Sequence, residues 1–194
     1  MKTGPQGPGG SSCQQRRISP ASLSGSIVGT SRRRECRIPR YLQDGYATLA
    51  QPVEANDTHF TTWACSLASN AVDDYSPVIV LARKAVDSEP ENAQYLTGLG
   101  AVLFRAGQFD EAQKTLLQSL DKAADEKTSP SYAHYFLAMT EHRRGKTEEA
   151  KRHLQTANEL AESELATSPV WNRRLTLELL RKEAQQMLAA GGRD

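Results

Sequence analysis

The stretch LTGLGAVLFRAGQFDEA, residues 96–112, contains regularly spaced leucines, then Gly107, then the acidic start of a second segment. Its leucines recur at intervals of three and four residues before Gly107, which is typical of an amphipathic helix. Gly107 can adopt the left-handed backbone with which many helices end. Asp110 and Glu111 follow, and acidic residues stabilise the first turn of a helix. The stretch therefore predicts two helices joined by a short turn.

The same pattern occurs again further along the chain. GQFDEA (107–112) aligns with GKTEEA (145–150), and a fainter copy precedes both at residues 58–92. Small residues occupy the positions at which two paired helices would cross, namely Gly100, Ala112, Ala138 and Ala150. A single helix pair leaves an apolar face open, so a repeated pair predicts a stack of hairpins.

Glycine and proline divide residues 58–190 into segments with helical periodicity. The predicted helices lie near 59–69, 76–87, 93–105, 109–123, 131–143, 147–163 and 169–189. Ser129-Pro130 and Ser168-Pro169 resemble N-caps followed by proline at the first helical position.

These residues resemble the tetratricopeptide repeat, whose pattern is W-x-x-L-G-x-x-Y, then A-x-x-x-F, then P. The middle unit matches at Leu96, Leu99, Gly100, Leu103, Gly107, Ala112 and Leu116. The resemblance implies an all-α fold: antiparallel helix hairpins in a right-handed solenoid. The predicted hairpins are 58–92, which is degenerate, 93–130 and 131–167.

Residues 168–190 lack the repeat pattern and are predicted to form a capping helix; a dimerisation helix is the alternative. Its apolar residues are expected to lie towards the preceding hairpin: Leu175, Leu179, Ala184, Met187 and Leu188. Its polar face is expected to carry Arg173, Arg174, Glu178, Arg181, Lys182, Glu183 and Gln186.

Residues 1–57 are rich in Gly, Pro and Ser and show no periodicity, so they are predicted to be disordered. The segment includes the basic cluster RRRECRIPR (32–40), and residues 1–40 hold eight basic residues against one acidic residue. One alternative function is therefore a nucleic-acid binder that uses this arm.

Composition and motifs favour a non-enzymatic protein without a cofactor. The three cysteines form no Cys-x-x-Cys pair, and neither a phosphate-binding glycine loop nor His-Glu-x-x-His occurs. No run of 18 apolar residues is found, and the amino terminus has no apolar core of a secretory signal. A cytoplasmic location, with no membrane partner or small-molecule substrate, is the expectation.

The resemblance implies that the first helix of each repeat lines a concave groove that binds a peptide or a helical segment of a partner protein. The residues mapped to the groove are Gln94, Thr97, Ala101, Phe104, Arg105, Tyr132, Tyr135, Met139, His142 and Arg143. Aromatic residues and Arg are the types that anchor interfaces. Relatives that clamp a terminal carboxylate have Lys and Asn where this chain has Thr97, Ala101, Tyr135 and Met139, so such a clamp is not expected.

A narrower resemblance links residues 60–188 to the carboxy-terminal repeat region of bacterial multidomain proteins, some of which carry a serine/threonine kinase domain. It implies a second alternative, namely a scaffold fragment of a kinase-bearing polypeptide without independent activity. No kinase motif occurs in this sequence.

Overall fold

A computed structural model describes residues 54–123, 128–167 and 169–190, which form seven helices and no strand. The helices are α1 (Ala55–Ser66), α2 (Ser76–Ser88), α3 (Ala93–Arg105), α4 (Phe109–Lys122), α5 (Pro130–Arg143), α6 (Thr147–Ala166) and α7 (Trp171–Ala190). Sequential helices pair as α1–α2, α3–α4 and α5–α6, and α7 packs on the last pair. The predicted all-α hairpin fold is confirmed.

The turns of the α3–α4 and α5–α6 hairpins share one geometry. Gly107 has φ +76° and Gly145 has φ +77°, as their positions between helices predict. The Gln108 N–H donates to the Leu103 carbonyl and the Gly107 N–H to the Phe104 carbonyl, both at 3.0 Å. The corresponding bonds at Gly145 are 2.9 and 3.0 Å long. These pairs form a Schellman motif, which satisfies carbonyls at the end of a helix.

The prediction of a small residue at the helix crossing is confirmed at Gly100. A Cβ atom added at Gly100 would lie 2.6 Å from Cγ of Leu116 on α4. Ala112, Ala138 and Ala150 are buried. At Gly100, the close approach of α3 and α4 leaves no room for a larger residue.

The start of α1 differs from its prediction. The helix begins at Ala55, so the boundary predicted at residue 58 falls inside a helix. Its buried residues include Thr58, His59 and Thr62, and this polar buried face gives little hydrophobic periodicity. Residues 1–53, with the basic cluster 32–40, lie outside the described residues; their predicted disorder and the nucleic-acid alternative stay predictions.

The two predicted Ser-Pro starts have different outcomes. Pro130 is the first residue of α5, as predicted, but the Ser129 hydroxyl donates to Glu164 at 2.6 Å and makes no capping bond. The prediction for Pro169 is wrong, because α7 begins two residues later at Trp171. The Ser129 hydroxyl, which the sequence pattern assigned to a helix cap, therefore bonds to Glu164 on α6 instead.

The predicted faces of α7 are wrong in part. Leu175 and Leu179, expected to be buried, are 47% and 43% exposed. The residues of α7 that are buried are Thr176, Leu177, Leu180 and Ala184. Arg181 and Glu183, expected on the solvent face, bond to α5 and α3. These polar contacts fix the rotation of α7 and leave the two leucines outside.

Candidate functional site

Helices α1, α3, α5 and α7 meet along one side of the stack, and we call the surface between them the inner groove. Across it the rings of His59 and Tyr95 lie 5.2 Å apart, and those of Trp63 and Tyr132 lie 5.3 Å apart. Residues near the start of one helix contact residues near the start of the next, and residues near the ends contact each other. The four helices therefore run in the same direction. The groove therefore has an end at the helix amino termini and an end at the carboxyl termini.

The amino-terminal end of the inner groove is open. It holds a cavity of about 380 Å³, large enough for one or two side chains of a ligand. The cavity is lined by residues of all four helices and the segments before α5 and α7: His59, Phe60, Trp63, Leu67, Gln94, Thr97, Thr128, Ser129, Tyr132, Val170, Asn172, Arg173 and Thr176. The aromatic and aliphatic groups make most of this lining apolar.

The titratable residues of the cavity are held in their neutral forms. Burial lowers the pKa of His59 to about 4. Burial also raises the pKa of Tyr132 to about 12, against the opposing effects of Arg173 and a hydrogen bond with Thr176. At neutral pH Arg173 is the one charged residue among the lining residues that the structure describes. The Arg173 guanidinium already lies 3.9 Å from the carboxylate of Glu164 on α6. The cavity therefore suits an apolar or aromatic group with a polar neighbour.

The carboxyl-terminal end of the inner groove is closed by Arg105. Its Nε–H donates to the Ser66 carbonyl at 2.7 Å, and its two terminal nitrogens donate to the Glu183 carboxylate at 2.5 and 2.7 Å. The guanidinium also lies 5.4 Å from the ring centroid of Phe104 and 5.6 Å from that of Phe136. With 4% of its side chain exposed, Arg105 joins α1, α3 and α7.

The predicted groove residues fall into three groups. Those that line the open cavity are Gln94, Thr97 and Tyr132. Those buried beneath the closed end or within the helix stack are Ala101, Phe104, Arg105, Tyr135 and Met139. Those at the carboxyl-terminal end of α5 are His142, which is half-buried, and Arg143, which is exposed and lies 5.5 Å over the Phe109 ring. The structure does not bring these groups together in one accessible surface.

Tyr135 is held by α7 and α6. Its hydroxyl donates to Asn158 at 3.0 Å and accepts from Arg181 Nε at 3.1 Å. Burial raises the pKa of the Tyr135 hydroxyl. The resemblance implied that Tyr135 contacts a partner in the groove. In the structure Tyr135 instead contacts Arg181 of α7.

The sequence prediction missed the residues that α1 and α7 contribute to the cavity. Phe60 and Val170 form an apolar rim, and Trp63 reaches across to Tyr132 on α5. The repeat alignment could not assign them, because the first unit is degenerate and α7 lacks the pattern. The one available signal was the presence of large apolar residues on the polar helix α1.

The described residues contain no group of three or more His, Cys, Asp or Glu side chains that could hold a metal ion. The nearest arrangement is a pair, in which Nδ1 of His134 lies 3.1 Å from Nδ1 of His153. None of the described helices is both long enough and apolar enough to cross a membrane.

Comparison with known proteins agrees with the hairpin geometry. Residues 91–163, which cover α3, α4, α5 and most of α6, match the family model described as the tetratricopeptide repeat. TPR repeat-containing thioredoxin TTL4 of Arabidopsis thaliana is 34% identical over 83 residues. That alignment covers 42% of this chain and 11% of the relative, so the chain spans about a tenth of the relative's length. Residues 91–163 are therefore similar to tetratricopeptide repeats.

Among solved structures, MamA AMB-1 is similar to this chain with a TM-score of 0.45 and 25% identity. The alignment covers 63% of this chain and 66% of that chain. No match described above involves a kinase-bearing protein, so the narrower resemblance to bacterial kinase polypeptides stays a prediction.

Proposed function

We propose that this chain is a non-enzymatic scaffold that binds a peptide or helical segment of a partner protein at the open end of its inner groove. Tetratricopeptide repeats generally mediate contacts between proteins, and the matched repeats α3–α6 supply two of the four helices around the cavity. A cytoplasmic location is part of the same proposal.

The observation that supports this proposal most strongly is the lining of the cavity. Trp63 and Tyr132 offer aromatic faces, and Gln94 offers a hydrogen-bonding amide beside them. Interface hot spots combine such aromatic anchors with a few polar groups. A ligand with an apolar or aromatic side chain next to a polar residue would match both features.

The proposal departs from the sequence prediction at the closed end of the groove. Arg105 pairs with Glu183 and its side chain is almost wholly buried, so it is not offered to a partner. Gln94, Thr97 and Tyr132 keep the role that the resemblance implied, and Phe60 and Val170 join them at the rim.

A peptide-display selection on the purified chain tests the proposal, with enriched peptides measured by fluorescence anisotropy. Phe60→Asp and Val170→Asp place a charge on the apolar rim, and we expect each to weaken binding about tenfold or more. Val80→Asp on α2 is the matched control, since Val80 is 53% exposed and Phe60 54%. Val80 lies outside the cavity lining, so this variant should bind like the wild type.

Two results would refute the proposal. One is a selection that enriches no peptide. The other is a set of peptides whose affinity is the same for the wild type, the two rim variants and the Val80→Asp control. Circular dichroism of each variant confirms that a loss of binding does not come from a loss of helix.

A further inference from the structure

Helix α7 carries an apolar stripe on the side that faces away from the other described helices. Trp171, Leu175 and Leu179 are spaced by four residues and are 78%, 47% and 43% exposed. Residues four apart lie on the same side of a helix, so the three side chains form one line. Exposed apolar patches of this kind mark interaction sites on soluble proteins.

The stripe is separate from both the core and the cavity. The side chains by which α7 packs are Thr176, Leu177, Leu180 and Ala184, on the opposite side of the helix. None of the three stripe residues lines the cavity. Scattered exposed apolar residues elsewhere, such as Val80 and Leu117, stand alone on their helices. The stripe therefore needs an explanation of its own.

Two opposite charges border the stripe on the same edge. Arg174 directly precedes Leu175 and Glu178 directly precedes Leu179, and both charged residues are exposed. Neither the Arg174 nor the Glu178 side chain forms a hydrogen bond or an ion pair with another described residue. This edge offers one cation and one anion whose charges the rest of the described chain leaves unpaired.

The stripe matches itself when a second copy of α7 lies against it in the antiparallel direction. Leu175 is the centre of the stripe, so a two-fold axis there places Trp171 of one copy against Leu179 of the other. The same axis brings like edges together, which sets Arg174 near Glu178 of the second copy, twice. Closed dimers require such a self-complementary surface. A parallel pair would instead set this edge against the edge that holds Asn172.

We propose that the occupant of the stripe is α7 of a second copy of this chain, paired antiparallel about Leu175. The exposed parts of the three stripe side chains, summed over both copies, amount to on the order of 700 Å². That area is smaller than that of stable specific interfaces, so the dimer is expected to be weak and to dissociate on dilution. It would carry two inner grooves and bind a divalent partner with increased avidity.

Sedimentation velocity of the full chain over a concentration series tests the proposal. We expect a species of twice the chain mass that grows with concentration. Leu175→Glu combined with Leu179→Glu should give only the monomer, because both positions are exposed and the changes spare the core. Val80→Glu, at an exposed apolar position on α2, should dimerise like the wild type. A wild type that stays monomeric throughout overturns the proposal.

A charge exchange tests the antiparallel arrangement. Arg174→Glu alone and Glu178→Arg alone each set like charges together, and we expect either to raise the dimer dissociation constant about three- to tenfold at low salt. The double variant Arg174→Glu/Glu178→Arg restores opposite charges and should recover the wild-type constant. Additive weakening in the double variant, or no effect of the single changes, contradicts the antiparallel pairing.

This test is independent of peptide binding. A monomeric chain that still binds its peptides at the cavity would refute the dimer and leave the scaffold function in place. A dimer that binds no peptide would refute the scaffold function and leave the dimer in place.

Discussion

The guanidinium of Arg105 and the carboxylate of Glu183 pair through two hydrogen bonds, at 2.5 and 2.7 Å, across 78 residues of sequence. Arg105 belongs to α3 of the middle repeat and Glu183 to α7, the last helix. The pair therefore joins α7 to α3 as well as to the α5–α6 hairpin on which α7 packs. The Arg105 side chain is 4% exposed and that of Glu183 25%. Removing one partner of such a pair costs more than removing one partner of an exposed pair, because the charge that remains stays buried.

Glu183→Gln is expected to destabilise the chain by about 2 kcal/mol, since it removes the charge partner of a buried guanidinium. Glu111→Gln provides the matched control. Glu111 pairs with Arg83 at 2.6 Å, but both side chains are at least 40% exposed. The control should cost at most about 1 kcal/mol. Urea unfolding followed by circular dichroism measures the free energy of unfolding of both variants. Equal losses of stability would show that burial does not make the Arg105–Glu183 pair more important than the exposed pair.

Gly100→Ala is expected to destabilise the chain, because the new Cβ would lie 2.6 Å from Cγ of Leu116. Overpacking costs about 1–3 kcal/mol, which offsets the gain of about 1 kcal/mol that alanine brings to a helix interior. Thermal unfolding of the variant measures the net loss.

A double-mutant cycle with Leu116→Ala tests the cause of that loss. Leu116→Ala removes the atoms that the added methyl group meets, so Gly100→Ala should cost less in its presence than in the wild type. If the two losses simply add, the close approach of α3 and α4 at Gly100 is not what limits the residue at this position.

Acid should destabilise the chain through its buried histidines. Burial lowers the pKa of His59 and of His134 to about 4, and His153, 3.1 Å from His134, also has a lowered pKa because of burial. The unfolded chain, with histidine pKa values near 6.5, takes up protons before the folded chain does. The free energy of unfolding is therefore greatest above pH 6.5 and declines as the pH falls towards 4.

His134→Leu tests the contribution of the histidine pair. Leu96 occupies the corresponding position of the middle repeat, so leucine suits this site in the hairpin. The variant should lose less stability than the wild type between pH 6.5 and 4 in parallel urea titrations. An unchanged slope would mean that the pair does not titrate in this range.

The sequence predicted most of the fold because its signals are local. The glycines at 107 and 145, with their left-handed φ, fix both turns, and the small residues mark the crossings. The start of α1 was missed because its buried face is built from Thr58, His59 and Thr62, which hydrophobic periodicity does not detect.

The site was predicted less well because it depends on long-range contacts. Gln94, Thr97 and Tyr132 were assigned to the groove by repeat position, and they line the cavity. The same rule also assigned Arg105 and Tyr135, which α7 covers through Glu183 and Arg181. No repeat pattern shows that a terminal helix will fill half of a groove.

The central claim is that the open end of the inner groove is the surface that binds a partner. The most direct measurement is the change in amide chemical shifts when a selected peptide is added to the isotope-labelled chain. We expect the largest changes at His59, Gln94, Thr97 and Tyr132. Large changes confined to α2, α4 and α6, with these four residues unmoved, would contradict the claim.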